Sequence, residues 1–150
     1  MSDLLPVLRL LGALITMFSF AFLLPACVSW VQGDGLLGFW LGAAGATFGG
    51  GAWLWAGLHA YRSELRARHG VILVSVTWLA LPLVACLPLM MVLHAIGREL
   101  DFSYAYFEAV SGLTTSGATV LQGLDSLPLS INVWRTFLQW IGGMGILVLA

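Results

Sequence analysis

A chain of 150 residues that is 60% hydrophobic and 9% charged, with a mean hydropathy of +0.97, carries too little polar surface to clothe a soluble domain of this size. Its net charge of −1 and its lack of any lysine argue against a nucleic-acid partner. What remains is an integral membrane protein whose first partner is the lipid bilayer.

Four apolar segments follow one another. The first covers about residues 7–31 and ends at the turn-like Gln32, Gly33, Asp34, Gly35. Within it, "LLPAC" (Leu23 to Cys27) faintly resembles a lipoprotein cleavage site. The preceding charge is weak (Asp3 against Arg9), Pro25 is badly placed for cleavage, and the apolar run continues through Val28, Trp30 and Val31, so a retained helix is expected. The second segment covers about residues 36–60. Its Gly38, Gly42, Gly45 and Gly49 are spaced 4, 3 and 4, which puts them on one helical face where another helix can approach closely. "GGG" at Gly49 to Gly51 lacks both the GxGxxG spacing and the lysine of a phosphate-binding loop.

The third segment covers about residues 71–96 and contains Pro82 and Pro88, which a membrane helix tolerates as kinks. The first three segments exceed the ~20 residues needed to cross a bilayer core. The fourth opens near Ile131 and reaches the last residue, Ala150, without a polar flank. From Trp134 onward it would extend roughly 25 Å, just short of a crossing, so the chain is expected to be truncated within this helix.

The linker "YRSELRARHG" (Tyr61 to Gly70) carries Arg62, Arg66 and Arg68 against Glu64, which predicts a cytoplasmic location and hence a cytoplasmic N-terminus. Cys27 and Cys86 lie far apart in apolar runs and read as small packing residues. His59, His69 and His94 have no i,i+4 partner; the first two read as interfacial, and no metal cluster is expected.

Between the third and fourth segments stands "FEAVSGLTTSGATVL", Phe107 to Leu121. A helix over about residues 104–113, capped by Ser103, would be about 15 Å long, half the bilayer core. The residues after it, about 114–119, are poor helix material: Thr114, Thr115, Ser116 and Thr119 compete for backbone bonds, and Gly117 admits unusual dihedrals. Non-helical backbone at membrane depth survives only when buried in protein or lining a wet cavity. A half-helix followed by such backbone directs its carbonyl end toward a cation, which exposed carbonyls can dehydrate. On composition alone, a surface loop rich in threonine remains an open alternative.

"FEAVSGLTTSGATVLQGLDSLP" (Phe107 to Pro128) followed by "WRTFLQWIGGMGILVLA" (Trp134 to Ala150) resembles the first pore repeat of the Trk-type potassium uptake transporters, of the Trk/Ktr/HKT superfamily. The resemblance implies an all-α membrane protein in which four helix–pore-loop–helix repeats build a potassium-channel-like pore. Residues 1–70 would supply two leading transmembrane helices and the arginine loop, and residues 71–150 the first repeat. It implies potassium as the cation in the bacterial inner membrane, held by the filter backbone carbonyls of Thr115, Ser116 and Gly117. A serine at the position of Gly117 goes with sodium-preferring members, so glycine favours potassium. Many relatives have three consecutive threonines where this chain has Thr114, Thr115, Ser116, and bacterial relatives often carry an aspartate where it has Tyr104. The resemblance further implies a homodimer and a cytoplasmic nucleotide-binding regulatory subunit of TrkA type.

Glu108 inside the short helix is expected to be paired or near water, with a structural role behind the filter or a part in attracting cations. Arg135 is expected to anchor at the interface or to pair with Glu108 or Asp125. Two readings from other classes compete. One is an intramembrane serine hydrolase using Ser116 with His94 or His59, against which stands the absence of a GxSxG elbow. The other is a helix-packing membrane protein without transport.

Overall fold

A computed structural model describes residues 4–59 and 67–149. They form helices α1 (Leu5–Phe18), α2 (Leu23–Gln32), α3 (Leu37–Gly57), α4 (Ala67–Ala95), α5 (Phe102–Leu113) and α6 (Leu129–Leu149), with short 3-10 turns at Ser19–Phe22 and Leu124–Ser126 and, among the described residues, no strand. The fold is therefore all-α. Arg62 and Arg66, with most of the expected cytoplasmic linker, lie outside the described residues.

The first apolar segment is one rod, Leu5–Gln32, that tightens into a 3-10 turn where α1 meets α2. Pro25 explains the position of that turn. It has no N–H to return to Ala21, so the ladder is loosened one turn ahead of it. Leu5–Gln32 and Arg68–Ala95 are both long and apolar enough to cross a membrane. At 21 residues α3 has the length as well.

Among the described residues, no helix lies against the glycine stripe of α3. A Cβ built at Gly38, Gly42, Gly45 or Gly49 meets nothing within 4 Å. The close approach is on the opposite face, about 200° around the helix from Gly49, where Gly51 crosses Gly12 of α1. A Cβ at Gly51 would stand 2.7 Å from the Thr16 nitrogen and 2.8 Å from the Gly12 oxygen. Spacing alone gives a face, and the register of the crossing decides which face is used.

Trp134 of α6 is fully buried at the centre of the bundle. Its ring lies 4.7 Å from Phe22, 6.0 Å from Phe18 and 5.9 Å from Trp40, so one side chain joins the leading helices to α6. Its indole N–H donates to the Ala85 carbonyl of α4 at 3.2 Å. Tyr106 of α5 donates to the Leu79 carbonyl at 3.3 Å. Leu79 and Ala85 each stand three residues ahead of a proline, Pro82 and Pro88. The prolines weaken the ladder of α4 there, and neighbouring helices supply donors to it.

Three side-chain expectations are corrected or refined by burial. Cys86 is a packing residue in the core, but Cys27 is exposed. His69 is buried in the first turn of α4, next to the arginine linker. At the other end of the bundle the Asp34 turn joins three helices. Its carboxylate accepts from the Ser29 hydroxyl of α2, from the Leu36 N–H at 2.9 Å ahead of α3, and from the Ser130 hydroxyl of α6 at 3.4 Å.

Candidate functional site

Helix α5 is 12 residues long, about 18 Å, and lies between α4 and α6. Its N-cap position belongs to Asp101, which makes no side-chain capping bond; Ser103, the expected cap, is an exposed residue inside the first turn. The apolar face carries Ala105, Ala109 and Leu113, with Gly112 at the contact with α6. A Cβ at Gly112 would stand 2.9 Å from the Leu138 Cβ. At Gly142 of α6 the approach is closer. There a Cβ would lie 2.6 Å from the Leu113 carbonyl carbon and 2.9 Å from its Cα, so the last turn of α5 seats directly on the backbone of α6.

The end of α5 is a Schellman motif. The Ser116 N–H donates to the Ser111 carbonyl at 3.1 Å and the Thr115 N–H to the Gly112 carbonyl at 3.0 Å. Helix α4 ends the same way, with Arg98 N–H to Leu93 and Gly97 N–H to His94. The left-handed position of that motif is Gly97 in α4 (φ 76°) but Thr115 after α5 (φ 59°). Thr115 is the sole non-glycine residue at positive φ among the described residues. A β-branched side chain there costs on the order of 1–3 kcal/mol, and such strain persists only where its surroundings hold it.

Beyond Thr115 the chain turns back and climbs along α5. Ser116 Oγ lies 2.9 Å from Ser111 Oγ, and Ser111 Oγ donates to the Ala118 carbonyl at 2.6 Å. Higher up, Glu108 Oε1 accepts from Thr119 Oγ1 at 2.6 Å, from Val120 N–H at 2.6 Å and from Leu121 N–H at 3.3 Å. Entry and exit are then tied together. Arg98, just before α5, donates to the Gln122 carbonyl at 3.0 Å and to Ser126 Oγ at 2.7 Å. The segment leaves from the end at which it enters, which is the geometry of a re-entrant loop.

Three polar side chains of this return segment, those of Thr114, Ser116 and Thr119, bond back to the helix. Thr114 Oγ1 donates to the Val110 carbonyl at 2.8 Å, and Ser116 and Thr119 are engaged as described. The carbonyls of Thr115, Ser116 and Gly117 receive no hydrogen bond among the described residues, and all three residues are exposed. Gly117 takes φ 71° with open space around it: a Cβ would meet only Gln139 Nε2, at 3.9 Å. Backbone strain, not crowding, opposes a side chain there. Unpaired carbonyls on a braced backbone are hard-oxygen ligands suited to an alkali cation.

The buried anion behind this segment is paired. Glu108 is 4% exposed, and its Oε2 meets Arg135 Nε of α6 at 2.9 Å. Of the partners expected for Arg135, the structure selects Glu108 over Asp125. Ser116 Oγ bonds to Ser111 and to neither His94 nor His59, so the base that the hydrolase reading needs is not brought to it among the described residues. The run Trp140 to Gly145 reads from sequence as close-packing material, and Gly142 is where that packing is tightest. Sequence reasoning missed the roles of Ser111 and Arg98. The i,i+3 spacing of Glu108 and Ser111 was an available signal for a polar stripe on α5. The Arg98 tie depends on loop closure and had none.

Comparison with known proteins gives consistent results. Residues 43–150 match the family model TrkH, described as a cation transport protein. The chain is 43% identical over 144 residues to the Trk system potassium uptake protein TrkH of Halomonas elongata and 38% identical to that of Escherichia coli K12. In both cases the match covers 96% of this chain and 29% of the relative, so the chain spans under a third of their length. It superposes on the crystal structure of the potassium transporter TrkH from Vibrio parahaemolyticus with a TM-score of 0.86 at 38% identity, covering 95% of this chain and 30% of that one.

Proposed function

The chain belongs to the TrkH family of cation transport proteins, and on that premise we propose that it contributes the first pore repeat of a potassium uptake protein of the bacterial inner membrane. Helix α5 is the pore helix, residues 114–119 are one filter strand, and the carbonyls of Thr115, Ser116 and Gly117 replace water around a potassium ion. Residues 1–70 supply two leading helices with the N-terminus in the cytoplasm, and residues 71–150 the helix–loop–helix unit. Such a unit provides one of four strands, so the working pore needs three more. A homodimer and a TrkA-type regulatory subunit belong to the same reading. Transport without chemical transformation is its activity.

The observation that carries this reading is the division of labour in the return segment: the hydroxyls of Thr114, Ser116 and Thr119 bond inward to α5, and the carbonyls of Thr115, Ser116 and Gly117 are left without donors among the described residues. Serine in place of the relatives' third threonine changes little in such a filter, because the Ser116 hydroxyl is turned toward Ser111. Backbone geometry at position 117 matters more. Gly117→Ser places a side chain at φ 71°, at a cost of about 1–2 kcal/mol that the strand relieves by rotating its carbonyls. The test is uptake by potassium-uptake-deficient bacteria expressing the complete coding frame. Growth at low potassium is expected with Gly117, and loss of discrimination against sodium with Gly117→Ser. Unchanged discrimination in the variant would sink the reading.

A further inference from the structure

Glu108 makes four polar contacts with a single carboxylate. One oxygen collects three donors from consecutive residues, Thr119, Val120 and Leu121, at 2.6, 2.6 and 3.3 Å. The other meets Arg135 at 2.9 Å. Ser111, one turn further along the same helix, holds Ser116 and the Ala118 carbonyl. The segment bearing the free carbonyls of residues 115–117 is therefore held at Ser116 and Ala118 by Ser111 and, further along, at residues 119–121 by Glu108, and of these two holds the outer one is charged. We infer that Glu108 is a positioning residue for ion discrimination: its carboxylate, neutralised by Arg135, fixes the register of residues 119–121 and through them the spacing of the carbonyls at Thr115, Ser116 and Gly117. This rests on the potassium-filter reading above.

The chemistry explains why a paired carboxylate stands here. Hydrogen bonds to an ionised acceptor are roughly twice as strong as neutral ones, so a charged brace holds backbone more stiffly than an amide can. An unpaired anion behind the filter would add a field that draws any cation without distinguishing its size. Arg135, at 2.9 Å, offsets that field. A glutamine cannot replace the glutamate alone. If its oxygen faces the Val120 N–H, its NH2 group faces the Arg135 donors; if it is flipped, the NH2 group faces the strand. Glutamine at both positions resolves the conflict. The amide oxygen at position 108 then accepts from the strand, and the NH2 group beside it donates to the amide oxygen at position 135, so the brace is restored without charge.

The experiment compares potassium and sodium uptake by the complete protein in potassium-uptake-deficient cells at matched membrane abundance. Glu108→Gln and Arg135→Gln should each lower the potassium-to-sodium uptake ratio on the order of tenfold, the effect carried by one charge-assisted hydrogen bond. Arg135→Lys and the double variant Glu108→Gln/Arg135→Gln should recover to within about threefold of the parent, because the paired sites are strongly coupled. If the single variants lower both fluxes in equal proportion, or if the double variant is no better than either single one, Glu108 only supports folding and the inference is overturned. The Arg135 variants decide the matter should Glu108→Gln fail to accumulate. Gly117→Ser in the same assay separates the two ideas. A changed ratio there with unchanged ratios in the Glu108 and Arg135 variants removes the brace and leaves the filter; an unchanged ratio at Gly117 removes both.

Discussion

Gly142→Ala adds one carbon at the glycine whose added Cβ would make the closest approach to another helix among the described residues. The new Cβ would stand 2.6 Å from the Leu113 carbonyl carbon, 2.9 Å from its Cα and closer still to the carbonyl oxygen. All three atoms are backbone, so no rotamer change relieves the clash. Ordinary carbon–carbon contact needs about 3.5–4.0 Å, so α5 and α6 must separate by roughly 1 Å. Overpacking of this kind costs typically about 1–3 kcal/mol. The gain in helix propensity from glycine to alanine, about 1 kcal/mol at most, does not offset it. The displaced turn ends two residues before Thr115, so the shift passes directly into the unpaired carbonyls. Gly145→Ala is the internal control, because a Cβ there meets nothing within 4 Å. We expect Gly142→Ala to lose potassium-supported growth at low external potassium, with reduced protein in the membrane, and Gly145→Ala to match the parent. Normal uptake and discrimination in Gly142→Ala would refute the view that the α5 seat sets the carbonyl geometry.

Two more outcomes follow from the same coordinates. Thr115→Gly removes a left-handed threonine and should raise thermal stability in detergent by about 1 kcal/mol while lowering potassium-over-sodium discrimination; a variant that gains stability and keeps full discrimination would show that the strain has no function. In the leading helices, Gly51→Ala meets Thr16 and Gly12 backbone atoms and should destabilise the protein by about 1–3 kcal/mol, whereas Gly45→Ala should be neutral in the same melting assay, and equal effects would reject the crossing described here.

How much of this was legible beforehand depended on the range of each interaction. Helix positions followed from apolar runs of local origin, so the segments around Pro82 and Pro88 and the short helix ending at Leu113 emerged within a few residues of their observed bounds. The Glu108–Arg135 pair was one of three readings of Arg135, and three-dimensional register was needed to choose it. The crossing of α3 with α1 at Gly51 and Gly12 was not foreseen, because four glycines in phase make a stronger pattern than the single Gly51. The cap of α5 was misplaced by two residues, since capping preference ranks both Ser103 and Asp101 highly. The inward turn of the hydroxyls at Ser116 and Thr119 had no sequence signal, because it follows from a Schellman ending built on threonine rather than glycine.

The tie between Arg98 and residues Gln122 and Ser126 also bears on how the protein is made. The bonds that shape the return segment span 5 to 13 positions, and the arginine closes a loop of 24 to 28. Loop-closure entropy grows only slowly with length, and closures this short are among the first available to a nascent chain. The hairpin of helix and strand can therefore take its shape between Arg98 and Ser126 before α6 is synthesised. When α6 arrives, Arg135 meets a carboxylate already engaged with residues 119–121, and the seat of Leu113 on Gly142 then fixes the final geometry of the segment.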